Sequence, residues 1–204
     1  GCDRFRTPTY IPFNMKIKLL NLLPVEFLTF VMITFRFERS EENILKTVLM
    51  VCYTNEERSP IAAAVFNNIA KRRGLASQWY ADSAGISVES AHRVDDHIRK
   101  VLRRHGIELD HTTRKLNLTD FDEYDYMLGM DEYSVEYIQS LRYLLSFQRP
   151  PTGNKTRIEL LSSYNPGNRR PTTKEETVVA VEFWYQLSYK SCDAFLDKFS
   201  RNSH

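Results

Sequence analysis

The chain has 204 residues, 42% of them hydrophobic, enough to fill one domain core and too few for two comfortable ones. Its 28 Lys and Arg against 26 Asp and Glu leave a formal charge of +2, and the basic residues are interleaved with acids, which argues against nucleic acid as a partner. The three cysteines, Cys2, Cys52 and Cys192, are too few and too widely spaced for a disulfide framework or a zinc site, so a reducing compartment, the cytoplasm, is expected.

Residues 1–45 read as an amino-terminal extension, disordered or arising from the gene model. Lys16 and Lys18 precede an apolar run from Leu19 to Phe35 that has a weak likeness to a signal or anchor segment. Asn21, Pro24 and Glu26 interrupt it, and a carboxylate is costly in a spanning helix, so membrane association is not expected. The domain is placed at 46–200. Thr47 to Cys52 predicts a buried strand, short, β-branched and uncharged. Pro60 opens an Ala-rich helix to about Arg72, ended by Gly74. Gln78 to Asp82 predicts a second strand, and Ser83-Ala-Gly85 a turn. Arg93 to Arg104 has helical periodicity and Gly106 as its stop. Asp125 to Met130 predicts a strand, Glu132 to Leu145 a helix, Gln148 to Lys155 a loop, Ile158 to Leu161 a fourth strand, and Glu175 to Phe199 a helix. Arg72, Arg73, Arg103 and Arg104 read as exposed helix ends. Strands alternating with helices predict a single α/β domain with a parallel sheet covered on both faces. Ligands of such sheets bind beyond the carboxyl ends of the strands, where Cys52 sits.

The segment Cys52-Tyr-Thr-Asn-Glu-Glu-Arg58-Ser59-Pro60 runs from a strand end into a helix start. Such a loop can aim successive backbone N–H groups at one anion, with the helix dipole adding to the field. Arg58 offers a planar fork to two phosphate oxygens. The same positive surroundings favour the thiolate of Cys52. A thiolate, an arginine fork and a ring of amides are the parts needed for phosphoryl transfer through a cysteinyl-phosphate.

These residues, with Asp82-Ser-Ala-Gly85, His105-Gly-Ile107, His111, Arg114, Asp120-Phe121, Asp125-Tyr126, Met130-Asp131 and Ile158-Glu-Leu-Leu161, resemble the low-molecular-weight protein tyrosine phosphatases. The resemblance runs from about Thr47 to Phe199. It implies a four-stranded parallel sheet, no metal and no organic cofactor, and phosphotyrosine proteins or small aryl phosphates as substrates. It implies Cys52 as nucleophile and Arg58 as phosphate clamp. Ser59 would hydrogen-bond the thiolate and Asn55 would brace the loop, supported by Ser83 and His111. No feature of the sequence selects an oligomeric state.

Several positions depart from the family pattern. The family's general acid is an Asp-Pro aspartate between the fourth strand and the last helix; here no Asp occurs between Asp131 and Asp193, and Arg170 precedes Pro171. No general acid is identified, and Glu175 and Glu176 are the nearest substitutes. Thr54 replaces a family glycine, which predicts strain if that position needs φ > 0. Glu56 and Glu57 place two negative charges beside an anion site. The stretch from Gly85 to His92 lacks the aromatic residues of the family's rim. A slow phosphatase and a phosphotyrosine- or anion-binding pseudophosphatase both fit this pattern. An arsenate reductase, which needs further cysteines to resolve its intermediate, fits it poorly.

Overall fold

The computed structural model describes residues 45–148, 156–165, 167 and 178–200. The expected extension up to Ile44, the proline-rich stretch from 149 and both glutamates Glu175 and Glu176 lie outside the described residues. The uncharged run after Lys46 forms strand β1, Lys46–Cys52, whose last five residues are buried, as a strand covered on both faces requires. It pairs in parallel with β2, Trp79–Gly85, on one side and with β3, Tyr126–Gly129, on the other, and β3 pairs in parallel with β4, Arg157–Leu160. The order is β2-β1-β3-β4. Among the described residues the α-helices are, in chain order, α1 Arg58–Arg72, α2 Asp96–Arg104, α3 Asp120–Glu123, α4 Glu132–Gln148 and α5 Val178–Ser200.

Alternation along β1 divides the core in two. Val48, Met50 and Cys52, with Trp79, Ala81, Tyr126 and Leu128, face the layer built by α1, α2 and α5. Leu49 and Val51, with Ala84 and Met127, face Phe121 of α3 and Ile138 and Leu145 of α4. The expected four-stranded parallel sheet with helices on both faces is therefore present. Phe195 of α5 anchors the first layer, fully buried among the rings of Phe66, Trp79, Tyr126, Tyr164 and Phe199 at centroid distances of 4.8–5.9 Å. Removing that ring leaves a cavity edged by rigid aromatics that cannot collapse into it. Phe195→Ala is expected to cost about 3–5 kcal/mol in urea unfolding, and a loss below about 1 kcal/mol would contradict this packing.

Several boundaries differ from the sequence expectation. Ser83-Ala-Gly85 is the end of β2, not a turn: Met50, Val51 and Cys52 pair with these three residues. Gly85 is needed there because a Cβ would lie 2.9 Å from both the Asn55 side chain and the Thr54 backbone. Helix α2 starts at Asp96 and not at Arg93. The Asp95 carboxylate caps it by accepting from the His97 N–H at 2.6 Å, while Arg93 bridges to Thr112 in extended backbone. Helix α1 starts two residues before Pro60, which stays in the first turn, where a missing N–H costs nothing. Strand β4 closes at Leu160, and Leu161–Tyr164 is a 3₁₀ turn. The short helix α3 was not anticipated. Among the described residues no helix is long and apolar enough to cross a membrane.

Candidate active site

The strand, loop and helix of the Cys52 segment converge on one sulfur. Cys52 ends β1 with only 2% of its surface exposed. Its Sγ accepts from the Asn55 backbone N–H at 3.3 Å and lies 2.9 Å from Ser59 Oγ. Asn55 Nδ2 donates to that hydroxyl at 3.0 Å, and the hydroxyl's other acceptor, the Ala84 carbonyl, is 3.4 Å away. The Ser59 hydrogen is thus best used on sulfur. Behind the sulfur begins α1, whose first-turn N–H groups have no intrahelical partner and carry the positive end of the dipole.

Asn55 holds the loop's shape. It is fully buried and adopts φ 61°, the left-handed region that Asn tolerates better than most residues. The expected strain at Thr54 is therefore corrected by one position: the left-handed residue is Asn55. Its Nδ2 also donates to Ser83 Oγ at 2.9 Å, and its Oδ1 accepts from the Arg114 N–H and from His111 Nε2, both at 2.9 Å. Since Oδ1 can only accept, Nε2 must carry hydrogen. Burial holds His111 below the usual imidazole range; Asp82 pulls it upward and Arg114 pushes it down. Hydrogen bonds thus join Cys52, Asn55, Ser59, Ser83 and His111 in one cluster, and Arg58 opens α1 beside Ser59. Arg114 is fixed in turn by Asp82 at 2.9 Å and Asp120 at 3.1 Å. Asn55→Ala would leave several buried groups unpaired and put a Cβ-bearing residue without a compensating side chain at φ > 0. A loss of about 2–4 kcal/mol in thermal or urea unfolding is expected. Asn55→Gly, which relieves the backbone, should recover only a minor part of it.

Two contacts that sequence reasoning missed orient Arg58. Its Nη1 donates to Asp131 Oδ2 at 2.6 Å, and its guanidinium lies 5.4 Å from the centroid of the Trp184 ring. Asp131 Oδ1 accepts from the Ser134 N–H and hydroxyl at 2.8 and 2.6 Å. Burial alone would raise Asp131, but the Ser134 hydrogen bonds and Arg58 outweigh it and hold the carboxyl below its usual range. The only sequence signal was the Asp-x-x-Ser spacing at the start of α4. The two loop glutamates are not bare charges: Glu56 Oε1 lies 3.2 Å from His92 Nε2, and Glu57 is pushed up by burial, against the pull of Arg58 and His97. Exposed Tyr53 and Tyr133, with centroids 6.0 Å apart, supply aromatic surface beside the loop that the 86–92 stretch lacks. Among the described residues no group of three or more His, Cys, Asp or Glu is placed to hold a metal ion.

The family model for low molecular weight phosphotyrosine protein phosphatase matches residues 47–175. The chain belongs to this family. The human low molecular weight phosphotyrosine protein phosphatase is 35% identical over 162 residues, covering 77% of this chain and 98% of that protein. Phosphatase 2 of the same name from Drosophila melanogaster is 37% identical over 119 residues, 58% of this chain and 68% of its own length. Among solved structures, Primo-1 superposes with a TM-score of 0.63 at 29% identity, covering 76% of this chain and 99% of its own. YfkJ from Bacillus subtilis superposes with 0.62 at 29% identity, covering 78% and 98%. Membership makes the chain a phosphatase of the tyrosine phosphatase type. The match includes the Cys52–Pro60 segment and the Asn55 brace and leaves the residues before Thr47 outside.

Proposed function

We propose that this phosphatase hydrolyses phosphotyrosine and aryl phosphate monoesters through a cysteinyl-phosphate on Cys52, and does so slowly for want of a proton donor. The observation that carries the reading is the sulfur's surroundings, with Ser59 Oγ at 2.9 Å and the Asn55 N–H at 3.3 Å at the start of α1. The thiolate attacks phosphorus, the S–P bond forms and the bond from phosphorus to the aryl oxygen breaks. Arg58 and the loop N–H groups carry the charge of the equatorial oxygens. Water then attacks phosphorus, the S–P bond breaks, and Cys52 returns as thiolate with release of phosphate. The steps need no metal or organic cofactor.

The slow element is the leaving oxygen. Asp131, in contact with Arg58, is held ionised and offers no proton. With no aspartate between Asp131 and Asp193, the phenolate must take its proton from solvent. The same observation favours a second reading, a pseudophosphatase that binds phosphotyrosine or another anion without turnover.

Selective alkylation tests the nucleophile. Burial, with Asp193 adding to it, pushes the Cys192 thiol up. At about pH 6, iodoacetate should label Cys52 and spare Cys192, and vanadate should protect Cys52. Equal labelling of the two thiols, unaffected by vanadate, would end the reading.

A further inference from the structure

We propose that Trp184 is a positioning residue of the phosphate site: its ring fixes the plane of the Arg58 guanidinium, so that the fork is set for two phosphate oxygens before an anion arrives. The inference rests on the reading of the Cys52–Arg58 loop as an anion site.

An arginine fork binds an anion well only when its long side chain is already held, because a free one gives up several rotatable bonds on binding. Arg58 opens α1 with 23% of its side chain exposed. One edge of its guanidinium is fixed: Nη1 donates to Asp131 Oδ2 at 2.6 Å, and Asp131 is anchored in turn through Oδ1 by Ser134. A single hydrogen bond places one nitrogen and leaves the guanidinium free to turn about it. The Trp184 ring removes that freedom. Its centroid lies 5.4 Å from the guanidinium carbon, within the reach of a cation–π contact. A ring uses the face of the cation and leaves the N–H groups at its edge for other partners. Among the described residues Asp131 takes the one hydrogen bond that Arg58 donates, so Nε and Nη2 stay available. A second carboxylate in place of the ring would hold the guanidinium too, but would cancel the charge that attracts a dianion. The indole holds the cation and keeps its charge.

The ring is itself firmly held. Trp184 is 8% exposed and belongs to the core layer built by α1, α2 and α5, with the Phe183 ring in a T-shaped contact at 5.2 Å. Helix α5 is seated along α1 by contacts that run in the same order on both helices. Trp184 meets Arg58, the Cys192 thiol lies 3.8 Å from the Ala62 carbonyl, and the Phe195 ring stands 5.9 Å from that of Phe66. The two helices therefore run in the same direction, and both begin at the end of the sheet where β1 delivers Cys52. That shared direction brings Trp184, near the start of α5, to the guanidinium at the start of α1. Burial keeps water from the contact and strengthens it.

Titration with inorganic phosphate followed by phosphorus NMR tests the proposal, because it reads weak binding and needs no turnover. Trp184→Leu, which fills the core but removes the ring face, should weaken phosphate binding by about three- to tenfold. Trp184→Phe, which keeps a smaller aromatic face, should recover part of that loss. A lysine has no guanidinium plane to set, so in an Arg58→Lys background Trp184→Leu should change binding by less than about twofold. A loss of the same size with lysine as with arginine would mean a general effect on the core and overturn the proposal. Unchanged binding in Trp184→Leu, or equal losses in the leucine and phenylalanine variants, would overturn it as well. If the leucine variant does not fold, Trp184→Phe compared in the two backgrounds decides by the same criterion. Failure of the unmodified protein to bind phosphate would instead overturn the anion-site reading, and this inference with it.

Discussion

Replacing Cys52 by serine should reduce hydrolysis of an activated aryl phosphate by at least about 10⁴-fold while leaving phosphate binding within a few fold. The two halves of this expectation come from different parts of the site. In the proposed mechanism binding is carried by the Arg58 fork and by N–H groups of the loop and the first turn of α1, none of which the substitution removes. Bond making needs an anionic nucleophile. Ser59 and Asn55 stand where they can hydrogen-bond an anionic sulfur. They supply no base able to deprotonate a hydroxyl. The serine variant is therefore expected to be a binder with almost no turnover, measured by product release and by phosphate titration. Turnover surviving in Cys52→Ser would remove sulfur from the chemistry.

The second large effect concerns the leaving group. Rates of cysteinyl-phosphate formation should fall steeply as leaving-group basicity rises, so phenyl phosphate should react far more slowly than nitrophenyl phosphate. A positioned acid contributes about 10²–10⁴ in rate, or roughly 3–5 kcal/mol of barrier. Arg170→Asp, ahead of Pro171, would restore an Asp-Pro pair. It should flatten the dependence and raise turnover on phosphotyrosine peptides by up to that factor. A flat dependence in the unmodified chain would mean that an acid is already at work, and substitution of Glu175 and Glu176 would then locate it. Phosphate binding without turnover on any of these substrates would favour the pseudophosphatase.

The legible part of this protein is the part written locally. Cys52, Asn55, Arg58, Ser59 and Pro60 lie within one strand end, one loop and one helix start, so their spacing alone places an amide ring, a cation and a thiol together. The sheet was legible for the same reason, since β1 is an uninterrupted apolar run. What failed were signals that local chemistry leaves ambiguous. Ser83-Ala-Gly85 has the composition of a turn, yet small residues also serve where a strand end must lie against another backbone, and the contacts of Gly85 with residues 54 and 55 decide for the strand. Val94 extends the apolar period of α2 backward because it is buried in the same layer, but the Asp95 cap holds the helix start after it. The family's glycine pointed to Thr54 as the left-handed residue, and the backbone uses Asn55, whose side chain is also the brace. The anchoring of Arg58 was out of reach: Asp131 is 73 residues away, and Trp184 comes from the last helix, so only the folded chain brings them to the guanidinium.

The central claim, covalent phosphoryl transfer to Cys52, is tested most directly by acid-quenching the protein within its first turnover of nitrophenyl phosphate and mapping the phosphoryl group by mass spectrometry. The account predicts one phosphoryl group on the peptide containing Cys52, formed in step with a burst of nitrophenol and absent in Cys52→Ser. Product release without a phosphorylated Cys52 peptide, or a phosphoryl group on any other residue, would contradict it.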